Sequence, residues 1–333
     1  MTASLEDHMS SVKGKRVLVA GATGLIGSSL VTKLRAAGAI VRATHFTRKP
    51  VNPDPSVEYL RTDLRLGEEC RRAVRDMELV FLCAASTSGA ATISATPMIH
   101  VTPNILINSQ MLEAAYEAEV SKFLWLGSTV AYPVADHAVK EDEMFSGEPF
   151  DKYYFAGWTK RFTEILCRMY GEKLVRRMAT IVLRPTNVYG PNDDFEFATS
   201  HVLPALIRKS VERWDPIEVW GDGSEVRDAI YVDDMVDAMV MAAEKLESYS
   251  TMNIGLGKGY TVNQMLEMIL KLDGYSNARV EYNRSKPTMI PLRLIDTSKA
   301  EQEIGFKARV SIEEGIRRTI DWYRTTRGIP RPD

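Results

Sequence analysis

Three glycines in the run Gly21-Ala-Thr-Gly24-Leu-Ile-Gly27 constrain this chain more than any other feature. The run follows an apolar strand candidate, Val17-Leu-Val-Ala20. It opens a stretch in which Leu30, Val31, Leu34 and Ala37 recur at helical spacing, with Gly38 placed as a C-cap. In such a turn the first glycine permits the tight bend and the second lets backbone N–H groups approach a phosphate. The third brings helix against strand, and the positive end of the helix faces the anion. The loop therefore reads as a pyrophosphate site for a dinucleotide, lined by Gly21, Thr23, Gly24, Leu25, Ile26 and Gly27.

The strands that follow keep the same character. Ala39–Ala43, Leu79–Cys83, Phe123–Leu126 and Ile181–Leu183 are short and continuously apolar, as strands covered on both faces must be. Helical patterns lie between them, including one marked by Ile105, Leu106, Met111, Leu112 and Ala115. Strands alternating with helices predict an α/β fold, a Rossmann-type doubly wound parallel sheet. After about Pro185 the texture changes to loops rich in Pro, Gly, Asp and Asn, with helices over Asp233–Leu246 and Val262–Leu272. The predicted organisation is a disordered leader over 1–13, a dinucleotide-binding domain over 14–185 and a smaller α/β substrate lobe over 186–333, with some of its strands returning to the main sheet. No Ser/Gly-rich or Pro-rich linker divides the halves, so a cleft between abutting lobes is expected.

Composition narrows the partners. Lys plus Arg number 42 against 44 Asp plus Glu, so no global field gathers nucleic acid or an anionic membrane. A hydrophobic content of 45% in 333 residues supports a large core. Cys70, Cys83 and Cys167 form no close pair or ligand cluster, which predicts core packing, no metal site and a reducing, cytoplasmic setting. No apolar run approaches the roughly 20 residues that span a bilayer.

At the end of the second strand, NAD-preferring folds place an acid for the ribose hydroxyls. This chain reads Arg42-Ala-Thr44-His45-Phe-Thr-Arg48-Lys49. Arg48 with Lys49 can clamp a 2′-phosphate, which favours NADP and leaves NAD open. Thr44, Asp63, Leu64, Ala84, Ala85 and Val188 complete the predicted cofactor contacts.

The glycine loop joins two further motifs, Leu126-Gly-Ser128-Thr-Val130-Ala-Tyr132-Pro133 and Arg184-Pro-Thr-Asn187-Val-Tyr189-Gly-Pro191. Together they resemble the extended short-chain dehydrogenase/reductases that act on nucleotide sugars. Within that family the likeness is nearest to the GDP-4-keto-6-deoxymannose epimerase/reductases, the GDP-L-fucose synthase branch. It continues through Thr199–Leu206, Val219-Trp220-Gly-Asp-Gly, Arg227–Asp234 and Pro291–Lys299, covering about residues 14 to 325.

The resemblance implies a Ser, Tyr and Lys acting at a sugar ketone while the nicotinamide exchanges hydride. Ser128 matches the serine and Lys160 the lysine, but Ala156 stands where the tyrosine is expected. Tyr153, seven residues before Lys160, returns to nearly the same helical face; Tyr154 would need an irregular turn around Gly157. The family's epimerisation base is a Cys two residues after the serine, and here that position is Val130, which takes no proton. His201 matches the second epimerisation residue. Asn187, Arg208 or Lys209, Trp220 and Arg227 match contacts to a nucleotide-diphosphate sugar, with Lys286, Arg293 and Asp296 as weaker candidates.

The expected activity is an NADP-dependent reductase of a nucleotide-linked 4-keto-6-deoxysugar, with one epimerisation through His201 as an added step. The alternatives are a redox-neutral epimerase and a non-catalytic dinucleotide-binding relative. The resemblance also implies a homodimer formed by the helices around Ile105–Ala118 and Phe162–Tyr170.

Overall fold

Strands with no polar alternate must be covered on both faces, and the main sheet meets that condition. The computed structural model describes residues 10–51, 53–87, 96, 98–286 and 288–331. In chain order the first half contains β1 (Arg16–Ala20), α1 (Leu25–Ala36), β2 (Ile40–His45), β3 (Glu58–Arg61) and α2 (Gly67–Val74). It continues with β4 (Leu79–Leu82), α3 (Met98–Glu117), β5 (Lys122–Leu126), α4 (Tyr154–Arg168) and β6 (Ala179–Pro185).

The second half contains β7 (Asn187–Tyr189), α5 (Val202–Val211), β8 (Ile217–Trp220), β9 (Val226–Tyr231), α6 (Val232–Lys245) and β10 (Ser250–Ile254). After these come β11 (Gly259–Thr261), α7 (Val262–Leu272), β12 (Val280–Asn283), β13 (Leu292–Arg293), α8 (Ser298–Ile304) and α9 (Ile312–Arg327).

Seven strands form one sheet in the order β10-β6-β5-β4-β1-β2-β3, and every pairing in it is parallel. The order reverses between β1 and β4, which opens a crevice at their C-terminal ends where ligands of such sheets bind. The remaining strands build a small cap, with β9 flanked by β11, β13 and β7, and β8 paired to β12. One apolar core runs through both halves, from Val17 and Leu34 beneath the main sheet to Met235, Leu266 and Ile316 in the second lobe.

Two polar devices join the halves. Lys33 on α1 donates to Asp237 on α6, whose carboxylate also accepts from Arg309 at 2.5 Å. Deeper in, the Arg184 guanidinium on β6 grips Glu164 on α4 at 3.0 and 2.7 Å. It also donates to the Tyr132 hydroxyl at 2.6 Å and to the Glu141 carbonyl at 2.7 Å. Tyr132 in turn donates to Asn253 on β10 at 2.7 Å. This network braces α4 against the sheet.

The expected leader to residue 13 is too long, because Ser10–Val12 form a 3₁₀ turn and Val12 is buried in the core at 2% exposure; residues 1–9 lie outside the described residues. Cys70 and Cys167 are buried and Cys83 half-buried. Burial pushes the Cys70 and Cys83 thiols up to about 12. Among the described residues no helix is long and apolar enough to cross a membrane.

Candidate active site

The glycine loop closes β1 onto α1 by contacts that tolerate no side chain at two of its three glycines. Gly21 has φ +85°, and a Cβ there would lie 2.6 Å from the Ala84 backbone. A Cβ on Gly27 would lie 2.2 Å from the Gly21 carbonyl oxygen. Gly24 differs, since its nearest neighbour would be 3.8 Å away. It caps α1 with an extended backbone and no side-chain hydrogen bond, and the first turn of α1 carries no acid. Open space at a bare helix N-terminus suits a phosphate, so the residues present fit a dinucleotide.

The other predicted cofactor residues separate into two groups. Arg48 and Lys49 are exposed, and Arg48 reaches over the loop to the Thr23 carbonyl at 3.4 Å. Ala85 is exposed, and Ala84 and Val188 are half-buried beside the crevice. Thr44 instead lies beneath the loop at 1% exposure. Its hydroxyl accepts from the Gly21 N–H at 3.2 Å and its carbonyl from Ala22 at 2.8 Å, so it positions the loop. The Leu64 side chain packs into the core at 6% exposure. Asp63 is engaged by Arg65 at 2.8 and 2.6 Å, and these bonds hold its carboxyl below the usual range.

At the end of β5, Ser128 caps the 3₁₀ turn Thr129–Ala131 and accepts from the Val130 N–H at 3.2 Å. Lys160 reaches back from α4 to donate to the Leu126 carbonyl at 2.9 Å, with its ammonium 4.7 Å from the Trp125 ring centre. Burial brings that ammonium down to about 8, against the opposing pull of Glu164 and Cys167.

The helix bearing Lys160 begins at Tyr154, directly after a 3₁₀ turn over Asp151–Tyr153. Gly157 sits inside regular helix. Its missing Cβ leaves room for Pro149 at 2.6 Å and for the Val130 carbonyl at 3.0 Å, so no irregular turn redirects Tyr154. Tyr154 is 39% exposed and packs edge-on against Phe155. Tyr153 instead lies under the Arg293 guanidinium, 4.9 Å from ring centre to carbon. Among the described residues neither tyrosine hydroxyl has a hydrogen-bond partner.

Arg293 gathers the substrate side. Its Nε and Nη2 are buried without partners. Its charge, after burial, helps to depress the neighbouring Arg227 to about 10, and it acts on His201 in the same direction. His201 N-caps α5 and is exposed as a residue. The protein wall around it and then Arg293 hold its imidazole below the ordinary value, opposed by Asp194. Among the described residues Arg293 has no ion pair, and the Arg227 guanidinium and the helix N-cap His201 both lie close enough to feel its charge, an arrangement that suits an anion.

Arg208 and Lys209 are both engaged within the protein. Arg208 is held by Glu212 at 3.1 Å, the Phe195 carbonyl at 2.9 Å and Glu196 at 3.3 Å. Lys209 donates to the Glu218 carbonyl at 2.6 Å, beside the 38% exposed Trp220. Asn187 is half-buried on β7, opposite Ala229 of β9. Asp296 accepts from the Ser298 N–H at 2.8 Å, which caps a turn.

With this geometry in view, comparison with known proteins gives a consistent result. A family model described as the NAD dependent epimerase/dehydratase family matches residues 17–255. The chain belongs to that family. It is 30% identical over 332 residues to GDP-L-fucose synthase 1 of Arabidopsis thaliana, covering 97% of this chain and 98% of the relative. It is 29% identical to dTDP-4-dehydro-6-deoxy-D-allose reductase of Streptomyces sp, covering 93% and 97%. A solved UDP-glucose 4-epimerase of Thermotoga maritima superposes with a TM-score of 0.84 at 29% identity, over 93% of this chain and 99% of the other. A nicotinamide dinucleotide is therefore the cofactor class.

Two groups near the site escaped the sequence reading. Asp193 follows the Tyr189-Gly-Pro turn, and its Oδ2 is buried without a partner, so burial pushes its carboxyl up to about 7. The adjacent Asn192 reaches Ser28 on α1 at 3.5 Å. Glu218 precedes Trp220 by two residues, and that strand period was the one signal that could have paired them.

Proposed function

We propose that the enzyme is an NADP-dependent reductase of a nucleotide-linked 4-keto-6-deoxysugar, and that Tyr153 supplies the proton. The placement of Tyr153 carries this reading: its ring lies beneath the Arg293 guanidinium, 4.9 Å from ring centre to carbon, in the turn that leads into α4 and Lys160. Gly21, Gly24, Gly27, Ala84 and Val188 would hold the dinucleotide, with Arg48 at the 2′-phosphate. Bound NADPH supplies the hydride.

In this scheme Ser128 donates a hydrogen bond to the sugar carbonyl oxygen, and the Tyr153 hydroxyl gives that oxygen its proton. Lys160 holds a positive charge at the end of β5. Arg227, Arg293 and Lys209 bind the diphosphate, and Asn187 and His201 orient the sugar. Val130 provides no second acid or base opposite His201, which argues against the two-base epimerisation. The names of the Arabidopsis synthase and the Streptomyces reductase support the same substrate class.

The exposed apolar residues Phe155, Trp158, Phe162 and Ile165 on α4, with Met98 and Leu106 on α3, support a homodimer through these helices. Sedimentation at micromolar concentration tests this, and a monomer would refute it. The free thiols suit the cytoplasm.

The decisive assay follows absorbance of NADPH or NADH with a nucleotide-linked 4-keto-6-deoxysugar. Stoichiometric oxidation of NADPH is expected, with Tyr153→Phe losing at least about 100-fold in kcat and Tyr154→Phe near the parent rate. Turnover of a nucleotide sugar without added cofactor would replace the reductase by a redox-neutral epimerase. An unaffected Tyr153→Phe would remove Tyr153 from the mechanism.

A further inference from the structure

A tyrosine one helical turn before Lys160 would be held at its lysine by helix geometry alone. Tyr153 stands before α4, at the end of the 3₁₀ turn Asp151–Tyr153, so the helix does not fix its distance from Ser128 or Lys160. The residue after Lys160 supplies a different hold. Arg161 is 2% exposed. Its Nε donates to the Ala131 carbonyl at 2.8 Å and its Nη2 to the Gly147 carbonyl at 2.7 Å. Ala131 ends the turn that Ser128 caps, and Gly147 lies in the chain that enters the Tyr153 turn.

Among the described residues Arg161 forms no ion pair, and its guanidinium lies 5.0 Å from the Trp158 ring centre and 5.4 Å from that of Phe145. Burying a charge without a bonded carboxylate has a cost that two carbonyls and two aromatic faces must offset. Nε and Nη2 lie on one edge of the planar guanidinium, so the two carbonyls are held side by side in a fixed geometry. The same face of α4 makes a second contact one turn back. A Cβ on Gly157 would lie 2.6 Å from Pro149 and 3.0 Å from the Val130 carbonyl oxygen. The helix therefore touches the Ser128 turn and the 147–149 chain at two successive levels. Trp158 ties that chain again by donating to Glu148 at 2.8 Å. From Pro149 the path to the tyrosine is short, because the Tyr153 N–H closes on the Phe150 carbonyl at 2.7 Å.

We infer that Arg161 is a positioning residue: it locks the Ser128 turn to the chain leading into Tyr153, so that both hydroxyls meet one sugar carbonyl oxygen although no helix joins them. This rests on the reductase reading above. Arg161→Met removes the fork, and Arg161→Lys keeps the charge without the fork; the second replaces the first if methionine prevents folding. In the full-length protein either substitution should lower kcat for the ketosugar by at least about tenfold and leave NADPH affinity within about threefold of the parent. The amides of Ala131, Tyr132 and Tyr153, which are bonded within these two turns, should exchange with deuterium at least about tenfold faster. In a Tyr153→Phe background the same substitution should cost no more than about threefold in kcat, because the hydroxyl it positions is already gone.

An equal fold-loss in the parent and the Tyr153→Phe background would overturn the inference, since a merely structural defect ignores the hydroxyl. So would a loss carried by NADPH affinity rather than kcat, or exchange that does not quicken in both turns. An active parent whose kcat survives the substitutions overturns this role alone. A parent that oxidises no NADPH with the ketosugar overturns the reductase and this role together.

Discussion

Replacing Glu164 by glutamine removes one charge from the network bracing α4 and keeps its shape. The two side chains of the pair are 2% and 3% exposed, so solvent cannot take over from the lost carboxylate. Arg184 would keep its bonds to the Tyr132 hydroxyl and the Glu141 carbonyl but would carry a buried, uncompensated charge. Breaking one side of such a pair costs about 3–5 kcal/mol. With an unfolding entropy near 2.1 cal/mol/K per residue, a chain of this length loses about 1.4 °C of Tm per kcal/mol. Scanning calorimetry should therefore show Glu164→Gln melting about 4–7 °C below the parent.

Glu247→Gln serves as the control. It removes a carboxylate paired with Lys122 but 75% exposed, and it should shift Tm by about 1 °C or less. A Glu164→Gln shift below about 2 °C would refute the reasoning, since the buried pair would then behave like a surface one. The same variant has a second readout, because Glu164 opposes the burial that lowers Lys160. Without it the ammonium titrates lower still, and the alkaline limb of activity should move to lower pH.

Two further outcomes follow from local geometry. Gly24→Ala should fold normally and lose dinucleotide affinity, because only a ligand would meet its Cβ; Gly27→Ala should lose both, since its Cβ collides with the Gly21 carbonyl, and thermal melts with NADPH titrations separate the two. For Asp193, whose folded pKa near 7 lies above the unfolded value of 3.8, the native state holds the extra proton, so stability falls as pH rises from about 4 to 7. Asp193→Asn keeps the Oδ1 bond to the Asp194 N–H and should raise Tm by clearly more at pH 8 than at pH 5; an equal shift at both would refute the assignment.

How much of this was legible in the sequence depended on the kind of signal. Continuous apolar runs located β1, β2, β4, β5 and β6 because a strand covered on both faces needs no alternation, and α7 matches its predicted span of Val262–Leu272. The direction of a side chain at a strand end is a different matter. Thr44 and Leu64 occupy the expected positions along the chain, yet both turn inward, a choice made by tertiary packing. Arg208 and Lys209 are neighbours on one helix, about 100° apart, and only the fold decides which meets β8. Tyr153 was ambiguous because its place depended on how the chain enters α4, and a 3₁₀ turn there leaves no pattern in composition. Asp193 and Glu218 belong to no motif, and their surroundings are set by the loop and strand that the fold builds around them.

The return of β10 to the main sheet limits how this chain could be recombined. A fragment ending at residue 185 would leave β6, buried along nearly its whole length, as an open edge stripped of its parallel neighbour. Such an edge is an invitation to aggregate. It would also lose α6, whose Asp237 anchors Lys33 beneath the cofactor helix. Exchange of substrate lobes between relatives, in the laboratory or in evolution, therefore cannot proceed by a single cut after the cofactor half. It must proceed through the loops around β8 and β12, where residues such as Glu218 and Trp220 can change while the seven-stranded sheet stays whole.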